Sequence, residues 1–267
     1  SPPSPAPPPT PPSPMCRLRE GDIHINLASL NFSNLGGMGP DTGMPPAIHF
    51  TNVGQTSEDV SSSFDLIVTN TSTYDPYDSA QNLLVGGIAQ ISLRSPTSGS
   101  CENSVRLRLD FVYTRSGLPV DFPTPYKLNV IDLDEGAGGR ECIDAEDFTK
   151  ATTDTMNEDG SELISVVSAT PPLYLGAPAS DSTESTRFCA TEGGSEADNP
   201  TDPVAMTTEQ RERAVELAYV GPTVHMTLLL TTCGSAGQNF LLAGESNLIP
   251  ICSSPPPPSP PSPPPPS

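Results

Sequence analysis

Two stretches that cannot enter a folded core bracket everything else in this chain. It opens with SPPSPAPPPTPPSP (Ser1–Pro14) and closes with SSPPPPSPPSPPPPS (Ser253–Ser267), and neither tract carries a charged residue. Proline holds φ near −65° and has no N–H, so runs of it cannot join a helix or a sheet ladder. What remains is the left-handed polyproline II helix, three residues per turn. Each tract is therefore expected to be a semi-rigid rod about 45 Å long. Such a rod serves as a spacer or as a P-x-x-P ligand for SH3-type or WW-type domains. Those ligands are tuned by basic residues, and neither tract contains Lys or Arg, so the spacer reading leads. Similar rods at both ends also lead us to expect that the chain is an excerpt of a longer one.

Between the rods, residues 15–252 have the length for one sizeable core. Short alternating runs dominate them, the period-2 mark of strands with one buried face. DIHINLASLNF puts Ile23, Ile25 and Leu27 on one side, and SFDLIVTN does the same with Phe64, Leu66 and Val68. GGIAQISL offers Ile88 and then, after a change of parity, Ile91 and Leu93. In SVRLRLDFVY, Val105, Leu107, Leu109 and Phe111 face away from Arg106, Arg108 and Asp110. Leu128 and Val130 continue the pattern, followed by ELISVVS, TVHMTLLLTT and NFLLAG, the last read as a final hairpin strand. Thr207-x-x-Gln210 is a capping-box pattern, which predicts a short helix at 207–213 running into a strand at 214–220. The polar region 149–208 is expected to be mostly loop. The expected fold class is mainly β: an antiparallel β-sandwich, jelly-roll or immunoglobulin-like, flanked by polyproline II segments. The domain plan is a rod at 1–14, a disulfide-bonded β-rich domain at 15–252 and a rod at 253–267.

The formal net charge is −20, all of it between the rods. Phosphate recognition needs clustered Lys and Arg, so no nucleic-acid partner is expected. No run approaches the roughly 18 apolar residues of a membrane span, so no direct membrane insertion is expected either. The six cysteines, Cys16, Cys101, Cys142, Cys189, Cys233 and Cys252, form no C-x-x-C, and the three histidines are scattered singly, which stands against zinc. An even count at wide spacing reads instead as three disulfides formed in an oxidising compartment. The sequons at Asn31 (Asn31-Phe32-Ser33) and Asn70 (Asn70-Thr71-Ser72) agree with secretion. Six cysteines allow fifteen pairings and the sequence does not choose among them. A Cys16–Cys252 link would have a mechanical logic, since each stands within two residues of a rod and the link would carry force past the fold.

Eleven Asp or Glu residues lie between Asp132 and Glu162, against Arg140 and Lys150. Carboxylates alternating at a strand end can converge on a hard cation, and calcium takes six to eight oxygens. Asp132, Asp134 and Glu141 are the candidate calcium ligands; the alternative is a solvated acidic loop. This is no EF-hand, because the sixth position counted from Asp132 is Ala137 and the twelfth is Ile143. No other cofactor is called for. Enzyme signals are weak: there is no G-x-S-x-G elbow, CGSAG at Cys233–Gly237 only superficially suggests one, and the few aromatics are placed as core rather than as sugar platforms. His24 and His49 sit in apolar strand contexts. The chain is read as a non-enzyme.

The two tracts, with an acidic, cysteine-bearing β-rich domain between them, resemble the hydroxyproline-rich glycoproteins of volvocine green algae. That group spans pherophorins, cell-wall glycoproteins, sexual agglutinins and flagellar mastigoneme proteins. VIDLDEG, DNPTDPVAMTTEQ and NFLLAGES are similar to segments of their globular domains, while the cysteines do not align to the pherophorin pattern. The resemblance implies that prolines of the tracts are hydroxylated and carry arabinose-rich O-glycans, with galactose on some serines. The positions that match are Pro255, Pro256, Pro257, Pro258, Pro263, Pro264, Pro265 and Pro266. It also implies a structural role: a globular node on a glycosylated fibre of the extracellular matrix, cell wall or flagellar surface, with other fibre subunits as partners. The alternative is a lectin-like or adhesive module carried on a Pro-rich stalk.

Overall fold

A computed structural model of the chain describes residues 23–57, 60–97, 101–153, 163–169, 185–194 and 199–248. The two Ser/Pro tracts, with Pro255–Pro258 and Pro263–Pro266, and Cys16 and Cys252 lie outside the described residues. Fifteen strands are described: β1 (Leu30–Ser33), β2 (Ile48–Gln55), β3 (Ser63–Asn70), β4 (Leu84–Val85), β5 (Ile88–Arg94), β6 (Asn103–Tyr113), β7 (Tyr126–Ile131), β8 (Glu135–Gly136), β9 (Gly139–Glu146), β10 (Lys150–Thr153), β11 (Ile164–Ala169), β12 (Ser185–Ala190), β13 (Val215–Tyr219), β14 (Thr223–Leu230) and β15 (Gly237–Ala243). One sheet runs β1-β2-β3-β6-β14-β9-β12-β11, with β8 folded onto β9; the other runs β10-β13-β7-β15-β5-β4. Every ladder is antiparallel. The molecule is the β-sandwich that the alternation predicts.

The long strand β6 shows how the pattern becomes the core. Its Val105, Leu107, Leu109 and Phe111 are at most 1% exposed, while Arg106 and Arg108 project from the opposite face. The register carries this parity into β14, where Leu109, Leu107 and Val105 face Val224, Met226 and Leu228. From the other sheet, Leu128, Val130, Phe240, Leu242, Ile91 and Leu93 meet them in one cluster. Phe64, Phe111, Phe122 and Tyr126 interlock with ring centroids 4.3–5.9 Å apart, and Tyr219 stacks on Tyr126. Burying each such side chain stabilises the fold by about 1.5–3 kcal/mol.

The smaller sheet is covered on both faces, which explains its less regular sequence. Ile88, Ile131, Leu241 and Ala243 point outward against Met206, Ala214 and Leu248. The parity change between Ile88 and Ile91 is thus real: one side chain lies on each face. The helix α1 (Thr208–Glu212) lies between Met206 and Ala214 of this cover, and both halves of its capping box form, Gln210 N donating to Thr207 Oγ1 and Thr207 N to Gln210 Oε1.

Three expectations are corrected. Within 149–208, read as mostly loop apart from ELISVVS, the described residues form β10 and β12 as well as β11. β12 (STRFCA) has too few apolar residues to stand out, and its place is set by pairing with β9. β15 is not the second arm of a hairpin, because the chain crosses from β14 in one sheet to a position between β7 and β5 in the other. Residues 23–27 bury Ile23, Ile25 and Leu27 as predicted, yet they run as an extended segment with a single bridge, Ile23 to Tyr126, and β1 begins only at Leu30.

Candidate functional site

Asp132, Asp134 and Glu141 meet where β7 ends and β9 begins. Asp132 turns the chain in the left-handed region at φ 63°, which a short polar side chain tolerates better than most residues do. Leu133 is buried next to it and its N–H donates to the Arg213 carbonyl. Asp134 accepts from Gln238 Nε2 at 3.2 Å, and its carbonyl accepts from Glu141 N at 2.9 Å. Glu141 opposes Leu230 in the register, which turns its carboxyl inward, where it is 3% exposed. Burial, then the nearby charges of Asp134 and Asp132, raise its proton affinity well above the ordinary glutamate range; a weak donation from Asp134 N at 3.3 Å only partly opposes this.

The three predicted calcium ligands therefore share one electrostatic neighbourhood. Their oxygens, however, do not gather as a cation requires. Among the described residues, the group whose ligand atoms all lie within 4.8 Å of one another is a different one: Glu146, Asp147 and His225. Sequence reasoning missed this group because β9 and β14 lie far apart along the chain and become neighbours only in the sheet. There Glu146 Oε2 already receives Arg106 Nη2 at 2.7 Å, and Arg108 stands opposite His225 in the register. Two guanidinium groups beside it make this a poor seat for a hard cation.

The same outer face of the larger sheet holds most of the charge pairing. Arg187 grips Asp144 with two bonds, at 2.7 and 2.8 Å. Arg108 bonds Asp110, which also accepts from Thr223. Asp65 accepts from Asn52 N and Thr114 Oγ1 and pairs with His49 Nε2, so His49 is a half-buried framework residue. Arg94, Arg140 and Lys127 each pair with a carboxylate as well.

Four cysteines are joined: Cys101 to Cys233, and Cys142 to Cys189. The first link ties the segment before β6 to the segment after β14, and the second joins residues directly opposite on β9 and β12. Both sequon asparagines lie at strand positions: Asn31 is exposed on β1 with its amide against His49 Nδ1, and Asn70 closes β3 half-buried, donating to the Ser72 carbonyl.

The remaining feature is a pole that the sequence does not reveal. His24, near the start of the described chain, lies 2.9 Å from Glu245, near its end. Between them, Gly244 packs so closely on Ile25 that a Cβ there would sit 2.5 Å from the Ile25 carbonyl carbon and 2.6 Å from its Cβ. Ile23 bridges Tyr126, and Asn129 Nδ2 donates to the Gly244 carbonyl, so both segments rest on β7. The first and last segments of the described chain thus meet at one place.

No family model matches the chain, and no curated protein matches it. Among solved structures, it is similar to the N-terminal domain of the Streptococcus gordonii adhesin Sgo0707, at 12% identity and a TM-score of 0.40 over 73% of this chain and 45% of that one. It is also similar to the adhesin domain of PrgB from Enterococcus faecalis, at 12% identity and a TM-score of 0.40 over 75% of this chain and 64% of that one. The DNA-bound form of that adhesin domain gives 13% identity and a TM-score of 0.38 over 75% and 68%. The chain thus spans under half the length of the first of these, and likeness at this level carries no functional argument.

Proposed function

We propose that this chain is a structural module of an extracellular glycoprotein fibre: a β-sandwich node between two polyproline II rods, in an algal cell wall, extracellular matrix or flagellar mastigoneme. The observation that carries the reading is the shared pole, where His24 and Glu245 are 2.9 Å apart while a Ser/Pro tract lies beyond each end. A domain entered and left at one point sits beside a fibre rather than in line with it. Tension passing from rod to rod then loads the small contact between residues 23–25 and 244–245 before it loads the sheets. Cross-links that brace the sandwich from within, Cys101–Cys233 and Cys142–Cys189, suit a protein working without chaperones in an oxidising space.

The test is mass spectrometry of the native protein, mapping proline hydroxylation and pentose additions over Pro255–Pro258 and Pro263–Pro266. Glycosylated hydroxyprolines are the expected result, and unmodified prolines in native material would end the fibre reading. The second reading, an adhesive module, draws on the same pole, because a domain hung by one end leaves its far end free to touch a partner. Saturable binding to an array of wall glycans would favour it; a blank array favours the node.

A further inference from the structure

We infer that the secreted, folded protein carries an N-linked glycan on Asn31 and none on Asn70, although both asparagines stand in sequons. The fold treats the two differently. β1 is the terminal strand of the larger sheet, and its pairing passes from Leu30–Phe50 to Phe32–His49, so Asn31 is the extra residue of a bulge. Its side chain is exposed. His49 Nε2 lies 3.0 Å from Asp65 Oδ2, and a proton on that nitrogen leaves Nδ1 to accept from Asn31 Nδ2 at 3.1 Å. That bond uses one hydrogen of the Asn31 amide. The other can be exchanged for a sugar without breaking it.

Ser33 supplies the independent observation. It is 1% exposed, and its hydroxyl has no hydrogen-bond partner among the described residues. A buried hydroxyl left without a partner is a net cost, so packing gives no reason for a serine there. The sequon does, because the hydroxyl two residues after the asparagine is what defines the acceptor. Residues 34–44 fold back onto Ser33: its N–H donates to Asp41 Oδ2 at 2.7 Å, Asp41 N donates to its carbonyl at 3.0 Å, and a Cβ on Gly39 would strike that carbonyl. The hydroxyl is thus readable only before this loop closes, which puts the transfer ahead of folding. In that step Asn31 Nδ2 attacks the anomeric carbon of an oligosaccharide carried on a lipid diphosphate. The N–C bond forms, the C–O bond to the diphosphate breaks, the amide gives up one proton and the lipid diphosphate leaves.

The second sequon is consumed by the fold. Half-buried Asn70 donates through Nδ2 to the Ser72 carbonyl at 2.8 Å, Thr71 N donates to the Arg106 carbonyl at 2.8 Å, and Ser72 Oγ accepts from Arg106 N at 2.8 Å. These bonds close the end of β3 against β6, and a glycan on Asn70 would have to turn its amide out of them. The inference needs a secretory compartment but no fibre, so this map and the map of proline glycans can fail separately.

The decisive experiment uses the full chain secreted from a eukaryotic host. It is denatured, cut with a glutamate-specific protease, which separates the two sequons after Glu58, and treated with peptide-N-glycosidase in heavy-oxygen water, which turns each glycosylated asparagine into a labelled aspartate. Label at position 31 and none at position 70 is expected. An unlabelled Asn31 or a labelled Asn70 overturns the inference. Ser33→Ala should abolish the label at position 31. Made in a host without N-glycosylation, the same variant should keep or exceed the parent's urea midpoint, because the hydroxyl it removes bonds nothing. A lowered midpoint would give that hydroxyl a place in the fold and overturn the argument from Ser33, while the parent's label is read independently of how the variant folds.

Discussion

Gly244→Ala tests the shared pole on which the functional reading depends. The added methyl would lie within contact of the Ile25 carbonyl oxygen, 2.5 Å from its carbonyl carbon and 2.6 Å from its Cβ. Ordinary contact begins near 3.4 Å, and two of these three atoms are backbone, so one segment must move by about 1 Å. Overpacking of this kind costs about 1–3 kcal/mol, and rigid neighbours put it at the upper end. A larger response is also open to the molecule. If residues 23–27 peel away, Ile23, Ile25 and Leu27 lose their burial, at about 1.5–3 kcal/mol each. We therefore expect a loss of about 2–3 kcal/mol, read as a urea midpoint lower by about 1 M at an m-value of about 2–3 kcal/mol/M. Gly221→Ala is the control, since a Cβ there meets only the Thr223 carbonyl oxygen at 3.8 Å; it should be neutral or stabilising by about 0.5 kcal/mol. A Gly244→Ala midpoint within about 0.2 M of the parent, roughly 0.5 kcal/mol, would show that the two segments do not pack as described.

Three further outcomes follow from the buried polar groups. Glu141→Gln should stabilise the domain at pH 8, because the amide carries no charge to be desolvated beside Asp134 and Asp132. Because its folded pKa is raised, the parent should lose stability as pH climbs from the ordinary glutamate range to the folded value and then level off; urea titrations at pH 5 and pH 8 that match for parent and variant would refute this. Arg187→Ala leaves the Asp144 carboxylate, 1% exposed, without its bidentate partner, and should cost about 3 kcal/mol, the lower end for a broken buried pair because Arg187 keeps partial exposure. Arg187→Met with Asp144→Leu should recover most of that loss, and a purely additive double variant would count against it. The two stacked tyrosines should differ: Tyr126→Phe forfeits a 2.7 Å donation to the Gly221 carbonyl and costs about 1 kcal/mol, whereas Tyr219→Phe removes a buried hydroxyl that has no hydrogen-bond partner among the described residues and should be neutral or stabilising. Matched thermal melts of the pair decide it.

Local chemistry spoke clearly in some elements and not in others. Strand β6 was legible because its alternation of aliphatic and charged residues is one-sided, and the capping box marked α1 from its N-cap at Thr207. The parity change at Ile88 and Ile91 was visible too, although its cause, a second apolar layer formed with Met206 and Leu248, lies more than a hundred residues downstream. β12 left no such trace. Its place depends on Arg187 meeting Asp144 and Cys189 meeting Cys142, and both partners are contributed by β9. The acidic run pointed to a real neighbourhood around Glu141, yet which carboxylates approach within ligand distance was decided by the pairing of β9 with β14.

What the amino-acid order determined alone is what short-range physics can enforce: proline runs without the N–H groups a ladder needs, strands with a period of two, a surplus of negative charge and an even set of cysteines. What only the tertiary structure decided is where distant segments land. Antiparallel pairing across two sheets brought His24 to Glu245, and that closure, made over more than two hundred residues, has no local signature because its contacts exist only after the sandwich has formed.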